Sequence, residues 1–200
     1  MGLHLEDAQA HLASACEVMA TLIPQHTPPD ITPKKPEEYF SVLVSSILGQ
    51  QLSVKAADTI EARLTNALGP HDPAVLSRAS VEDLREHGLS RSKASYVIGM
   101  AEAFVRGDID PHHLASAESE VVIESLTSLK GIGPWTAEMF LIFGMGHPDI
   151  WSPGDLGLRK AVWAHFGDDA DVSEIADRWR PFRSYAALYV WEFSDNSPKV

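Results

Sequence analysis

Two hundred residues, 44% of them hydrophobic, suffice for one substantial core or for two small helical lobes sharing a cleft. No apolar run reaches membrane-spanning length and no basic, apolar and small-residue leader opens the chain, so a soluble cytoplasmic protein is expected. A formal net charge of −12 speaks against a protein that coats nucleic acid through general electrostatics, since such affinity comes from Lys and Arg neutralising phosphates. The single cysteine, Cys16, fits a reducing compartment and cannot build a four-cysteine iron–sulfur site, and nine histidines show no zinc-like pairing.

Apolar residues recur at helical spacing over residues 4–22, 36–47, 54–68, 74–78, 81–87, 91–106, 119–129, 134–143, 157–166, 173–179 and 183–193. Turn and cap signals separate these runs at Gly69-Pro70, Gly88, Gly107-Asp108, Gly131 to Gly133 and Ser152-Pro153-Gly154. His112-His113 reads as a polar loop, residues 28–33 as the one extended stretch, and nothing alternates long enough for a sheet. The expected fold class is all-α. With no linker-like or repetitive stretch, residues 1–200 read as a single helical domain, in which 1–38 form an amino-terminal helical extension packing on the rest.

The most informative segment is the break inside 119–143. Val121, Val122, Leu126 and Leu129 set a helical phase, Lys130-Gly131-Ile132-Gly133 interrupts it, and Trp135, Met139, Phe140 and Ile142 resume it. That pattern is helix, tight hairpin, helix. Glycines leave the peptide N–H groups open to close approach, and Pro134 sits where a first helical turn needs no N–H. Exposed amides at a helix start suit one phosphate oxygen, a contact that positions a protein without reading bases. The bland alternative is an ordinary helix C-cap.

The context of the hairpin decides between them. LKGIGPWTA closely resembles the helix-hairpin-helix of the DNA glycosylase superfamily, and SPGD, about twenty residues on, resembles its Gly/Pro-Asp loop. LVSSILGQQLSVKAA at 43–57 is similar to the family's Gln-Gln helix junction, GLSRSKASYV at 88–97 to its Gly-Leu-Ser-x-x-Lys-Ala segment, and WRPFRSYAALYVW at 179–191 to its closing helix. Members that cleave the sugar–phosphate backbone carry a lysine where this chain has Trp135, which cannot form a Schiff base. The resemblance is therefore to the alkylbase branch, the 3-methyladenine DNA glycosylase II (AlkA/Mag) family. It implies two helical lobes around a DNA-binding cleft, in a chain with no room for the amino-terminal β-domain of longer members.

The resemblance implies a division of labour among residues. A base in duplex DNA must leave the stack before its N-glycosidic bond can be reached. Asp155 is the catalytic candidate: a carboxylate facing C1′ stabilises the oxocarbenium-like transition state and orients or deprotonates water. An Asp ahead of Leu156-Gly157-Leu158-Arg159 is also a good N-cap, and both roles can hold together. No second acid pairs convincingly with Asp155; Glu138 reads as a surface or interhelix residue. This suits purines already made cationic by alkylation, such as 3-methyladenine and 7-methylguanine. Aromatic faces attract such bases by about 1 kcal/mol or more each. Trp135 and Trp191 occupy family pocket positions, Phe40 is a third wall or a core residue, and Met139 stands where some members have tyrosine.

Gln51 takes the family's wedge position with Leu52 as a neighbouring candidate, Gln50 either contacts DNA or caps the junction, and Ser53 completes the segment. Lys130, Gly131, Ile132, Gly133 and Thr136 form the hairpin's DNA-binding set, and Arg91 and Lys93 are either phosphate contacts or surface charge. Backbone carbonyls of Thr127, Leu129 and Ile132 map to a structural monovalent cation site; no other cofactor is expected. The expected partner is double-stranded DNA bearing alkylated bases, engaged by a monomer without lyase activity in base excision repair. Removal of etheno, hypoxanthine or uracil lesions, or noncatalytic damage binding, are the alternatives.

Overall fold

The computed structural model describes residues 5–27 and 30–193, and among them there is helix, turn and irregular backbone but no strand. None of the described helices is long and apolar enough to cross a membrane. The chain divides into two compact units. Unit 1 joins the described residues up to Pro33 to those from Met145 onward, and unit 2 is Lys34–Gly144.

Unit 2 is built around α3, Tyr39–Gly49, whose residues Tyr39, Phe40, Leu43, Val44, Ile47 and Leu48 are all buried. A helix apolar on nearly every side must be enclosed by neighbours. It packs on α4 (Val54–Leu68) and on α7 (Arg91–Arg106). Two short helices, α5 (Pro73–Leu76) and α6 (Val81–Glu86), pack on α7, each started by a side-chain cap from Asp72 or Ser80. After α8 (Pro111–Leu114), helix α9 (Ser119–Thr127) leads through the hairpin into α10 (Pro134–Met139), which widens into a π-helical turn over Phe140–Gly144. Phe140 meets the Tyr39 ring edge-on at 5.0 Å, tying that turn to α3.

Unit 1 brings the first helices of the chain onto its last. Helices α1 (Leu5–Ala15) and α2 (Glu17–Leu22) contribute Leu12, Met19 and Leu22, all fully buried, and α2 packs on α13 (Arg183–Phe193). Gln9 donates to the Tyr189 hydroxyl at 2.7 Å and His11 lies 5.3 Å from the Phe182 ring. The amino-terminal helices are thus part of this unit's core, and residues 34–38 begin unit 2. Helix α11 (Leu156–Phe166) packs on α13 and on α12 (Val172–Asp177), and the fully buried Trp179 meets Trp151 at 5.5 Å.

Several boundaries depart from the periodicity. The run expected over 4–22 breaks at Cys16, whose extended backbone starts α2 and whose sulfur accepts from the Met19 N–H. Residues 36–38 are a 3₁₀ turn because Pro36 opens the segment and Glu38 turns back onto the Lys35 N–H. The His112-His113 segment is the one-turn helix α8 rather than a loop, since Asp110 caps the His112 N–H, Pro111 occupies the first turn and Leu114 is buried. Of the stretch expected to be extended, Pro28 and Pro29 lie outside the described residues and 30–33 carry no regular element.

Candidate functional site

The candidate residues fall into two groups, one in each unit. In unit 2, the last turn of α9 closes with Leu129 donating to Leu126, and Ile132 turns back to donate to Leu129 at 3.2 Å. Gly131 has φ +96, and a Cβ there would run into the Tyr96 ring of α7. Gly133 differs: its φ of −96 is open to any residue, and a Cβ would meet nothing within 4 Å. Its bareness serves nothing inside the chain. Lys130 is exposed, whereas Ile132 and Thr136 are buried at 4% exposure each.

The Gln-Gln junction lies against this hairpin. Gln50 Nε2 donates to the Gly131 carbonyl at 3.0 Å and to Thr136 Oγ1 at 3.4 Å. Gln51 has φ +58, the left-handed region and the sole non-glycine case among the described residues. A conformation of this kind costs on the order of 1 kcal/mol and persists where surroundings hold it. Gln51, Leu52 and Ser53 are exposed, Leu52 at 40%, and Ser53 caps α4 through the Ala56 N–H.

Lys93, expected as a phosphate contact or surface charge, is half-buried, and its ammonium is hydrogen-bonded within the chain. Its Nζ donates to the carbonyls of Leu48 at 2.7 Å and Gln50 at 2.6 Å, closing the carboxyl end of α3, and burial lowers its pKa from the ordinary lysine value. Arg91 is exposed but paired with Glu82 at 2.8 Å. Phe40 is 3% exposed and meets Phe104 edge-on at 5.1 Å, a core position, and Met139 is fully buried. Trp135, in the first turn of α10, is 36% exposed.

In unit 1, Asp155 is the N-cap of α11. Its Oδ1 accepts from the Leu158 N–H at 2.7 Å and from the Trp191 indole N–H at 3.2 Å. The preceding turn is closed by the Asp155 N–H donating to the Ser152 carbonyl at 3.1 Å, with Ser152 fully buried. Trp191, expected to face a bound base, is fully buried and hydrogen-bonded to the carboxylate. Two donors on one oxygen hold the carboxylate in place.

Sequence reasoning missed what fixes the loop ahead of Asp155. Ser184, fully buried at the start of α13, donates to the His147 carbonyl at 2.6 Å and accepts from the Ile150 N–H at 2.9 Å. Arg183 Nε donates to Asp149 Oδ1 at 2.7 Å, and the Arg183 N–H adds a bond of 3.2 Å to the same oxygen. Burial pushes the Asp149 carboxyl up, but bonds from Arg183 and the charge of Arg180 outweigh it and hold the pKa below the ordinary carboxylate value. These partners lie 34 residues apart, a separation no local pattern signals. Among the described residues no group of His, Cys, Asp and Glu side chains could hold a metal ion.

Residues 44–183 match the model of the HhH-GPD superfamily of base excision DNA repair proteins. A DNA-3-methyladenine glycosylase of Saccharomyces cerevisiae is 33% identical over 178 residues, covering 82% of this chain and 60% of the yeast protein, so the chain spans less than two thirds of that relative. The crystal structure of a DNA-3-methyladenine glycosidase from Bacillus halodurans superposes with a TM-score of 0.79 at 35% identity, covering 93% of this chain and 88% of that one. The Schizosaccharomyces pombe 3-methyladenine DNA glycosylase Mag1, solved in complex with abasic DNA, gives 0.81 at 28% identity over 96% of this chain and 98% of that one. With the hairpin, the Pro-Gly-Asp turn and most of the helices inside the matched span, the chain belongs to the HhH-GPD superfamily of base excision DNA repair proteins.

Proposed function

We propose that the protein is a monofunctional DNA glycosylase that releases alkylated purines, 3-methyladenine and 7-methylguanine among them, from duplex DNA. The observation that carries this reading is the Asp155 carboxylate, fixed by a helix amide and by the Trp191 indole N–H in a chain that also bears the bare-glycine hairpin.

The chemistry follows from the charge flow. As the C1′–N bond lengthens, its electron pair moves onto the base and positive charge gathers on the deoxyribose. A preset carboxylate stabilises that charge with little reorganisation. Water then adds to C1′ and yields its proton, with Asp155 as the nearby base, leaving an abasic site. A purine alkylated at N3 or N7 departs neutral and needs no general acid, which agrees with the single carboxylate.

Trp135 holds the position at which backbone-cleaving relatives have a lysine, so no Schiff base forms and the strand stays intact. Its indole, in the first turn of α10, supplies the stacking face for the cationic base. The Gly133 and neighbouring amides grip the phosphate backbone, and the exposed Gln51-Leu52 turn fills the gap left by the flipped nucleotide. Carbonyl oxygens of Thr127, Leu129 and Ile132, at the end of α9 and in the hairpin, are hard donors suited to a sodium or potassium ion. Such an ion would stiffen the hairpin and add positive charge near the phosphate. The protein acts as a monomer and needs no further cofactor.

The test is chromatography of free bases released from methylated duplex DNA by the wild type and by Asp155→Asn. Methylated purines released only by the wild type are expected. Equal release by both proteins sinks the role of Asp155, and binding without release by either sinks the glycosylase reading.

A further inference from the structure

The Gln50-Gln51-Leu52-Ser53 junction and the hairpin are separate sequence motifs that this fold joins through two side chains. Lys93, from the first turn of α7, places its ammonium on the last carbonyls of α3, those of Leu48 and Gln50. Gln50 passes its side chain to the Gly131 carbonyl and the Thr136 hydroxyl. Tyr96, one turn along α7 from Lys93, has its ring against Gly131, close enough to forbid a Cβ there. One helix face thus supports the junction and the hairpin together.

Between these supports stands Gln51, in a left-handed conformation that a residue with a side chain rarely adopts. The backbone oxygen immediately before it is the one Lys93 holds at 2.6 Å. Neighbouring Leu52 is 40% exposed. A strained, outward-facing turn whose preceding peptide is clamped by a half-buried cation has the build of an insertion device that must not yield when pushed into a base stack.

We infer that Lys93 is a positioning residue which, with Gln50, locks the Gln51-Leu52 turn to the hairpin, so that the grip on the phosphate backbone and the insertion into the stack act as one rigid part. This rests on the glycosylase reading only for the chemistry that follows flipping. Lys93 touches no substrate; without it, insertion weakens while the carboxylate of Asp155 is unaltered. The loss therefore concerns the work of opening the duplex and vanishes when that work is already done.

The experiment compares two duplexes, each with one 7-methylguanine: in the first it faces cytosine flanked by 2-aminopurine, and in the second it faces a one-nucleotide gap. Lys93→Met should lower the single-turnover rate of base release by about tenfold or more on the paired duplex and by no more than about threefold opposite the gap. It should also abolish the 2-aminopurine fluorescence rise on binding. Gln50→Met, which leaves the two Lys93 contacts to backbone oxygens in place, should show the same selective loss and guards against one variant that fails to fold. Equal losses on both duplexes, or none on either, overturn the proposal. If the wild type releases no base but raises the fluorescence in a Lys93-dependent way, the glycosylase reading fails and the locked turn stands.

Discussion

An alanine at Gly131 would drive its Cβ into the Tyr96 ring and hold a φ of +96, whereas at Gly133 the same Cβ meets nothing within 4 Å. Gly131→Ala should lower stability by about 2 kcal/mol or more, seen as a fall in melting temperature by circular dichroism. Gly133→Asp should leave melting nearly unchanged and cut duplex affinity at least about tenfold in fluorescence anisotropy, because the added carboxylate repels the phosphate it displaces. A Gly133→Asp protein that binds normally refutes the backbone grip. Trp191→Phe keeps a large ring and removes the indole N–H from Asp155; single-turnover base release should fall about tenfold or more. The N-cap role of Asp155 was legible because its signal is local: a Ser-Pro-Gly turn, a carboxylate and a helical run. Lys93 was not, since a lysine near a helix start reads as surface charge until the carbonyls it meets, 43 and 45 residues away, are known.

The loop ahead of Asp155 depends on contacts between the start of α13 and the segment from His147 to Ile150. Ser184→Ala would leave the buried Ile150 N–H without its side-chain acceptor, and a loss of about 1–3 kcal/mol in urea unfolding is expected. Asp149→Asn should destabilise the protein at neutral pH. The Asp149 carboxyl is depressed in the folded state, so its contribution is present above the unfolded carboxylate value near ~3.9 and is lost as pH falls through the folded value. Melting curves of wild type and Asp149→Asn should therefore converge as pH drops from about 5 toward 2 and separate at neutrality. Convergence at neutrality instead would show that the pair adds nothing. Most helices were legible from spacing, and α7 and α13 matched within their ends. The break at Cys16 and the single turn α8 were not, because each is decided by a cap and one buried residue rather than by a period. The π-helical turn at Phe140–Gly144 is decided by packing against α3.

At the scale of the molecule, a net charge of −12 limits how many phosphates the protein can neutralise. Residues 168–177, DDADVSEIAD, carry five acids and no base, and three of the acids are engaged locally: Asp171 caps α12, Glu174 pairs with Arg178 and Asp177 with Arg180. A plot of log affinity against log salt should accordingly be shallow, with a slope of magnitude below about 4, measured by anisotropy on undamaged duplex. A steep slope would point to a cationic surface in place of an amide grip. The all-α class was readable from periodicity and two lobes were expected from the resemblance, but which residues form each unit was not, because unit 1 is assembled from the two ends of the chain and no local pattern pairs them. That division has a consequence for biosynthesis. Unit 2 is continuous and complete once residue 144 has left the ribosome, while α1 and α2, made first, find their partner α13 only after Phe193. At roughly 5–20 residues per second, the stretch from Leu22 to Phe193 takes about 9–34 s to make. Throughout that time, Leu12, Met19 and Leu22 belong to a nascent chain without their core, the surface on which a chaperone would act.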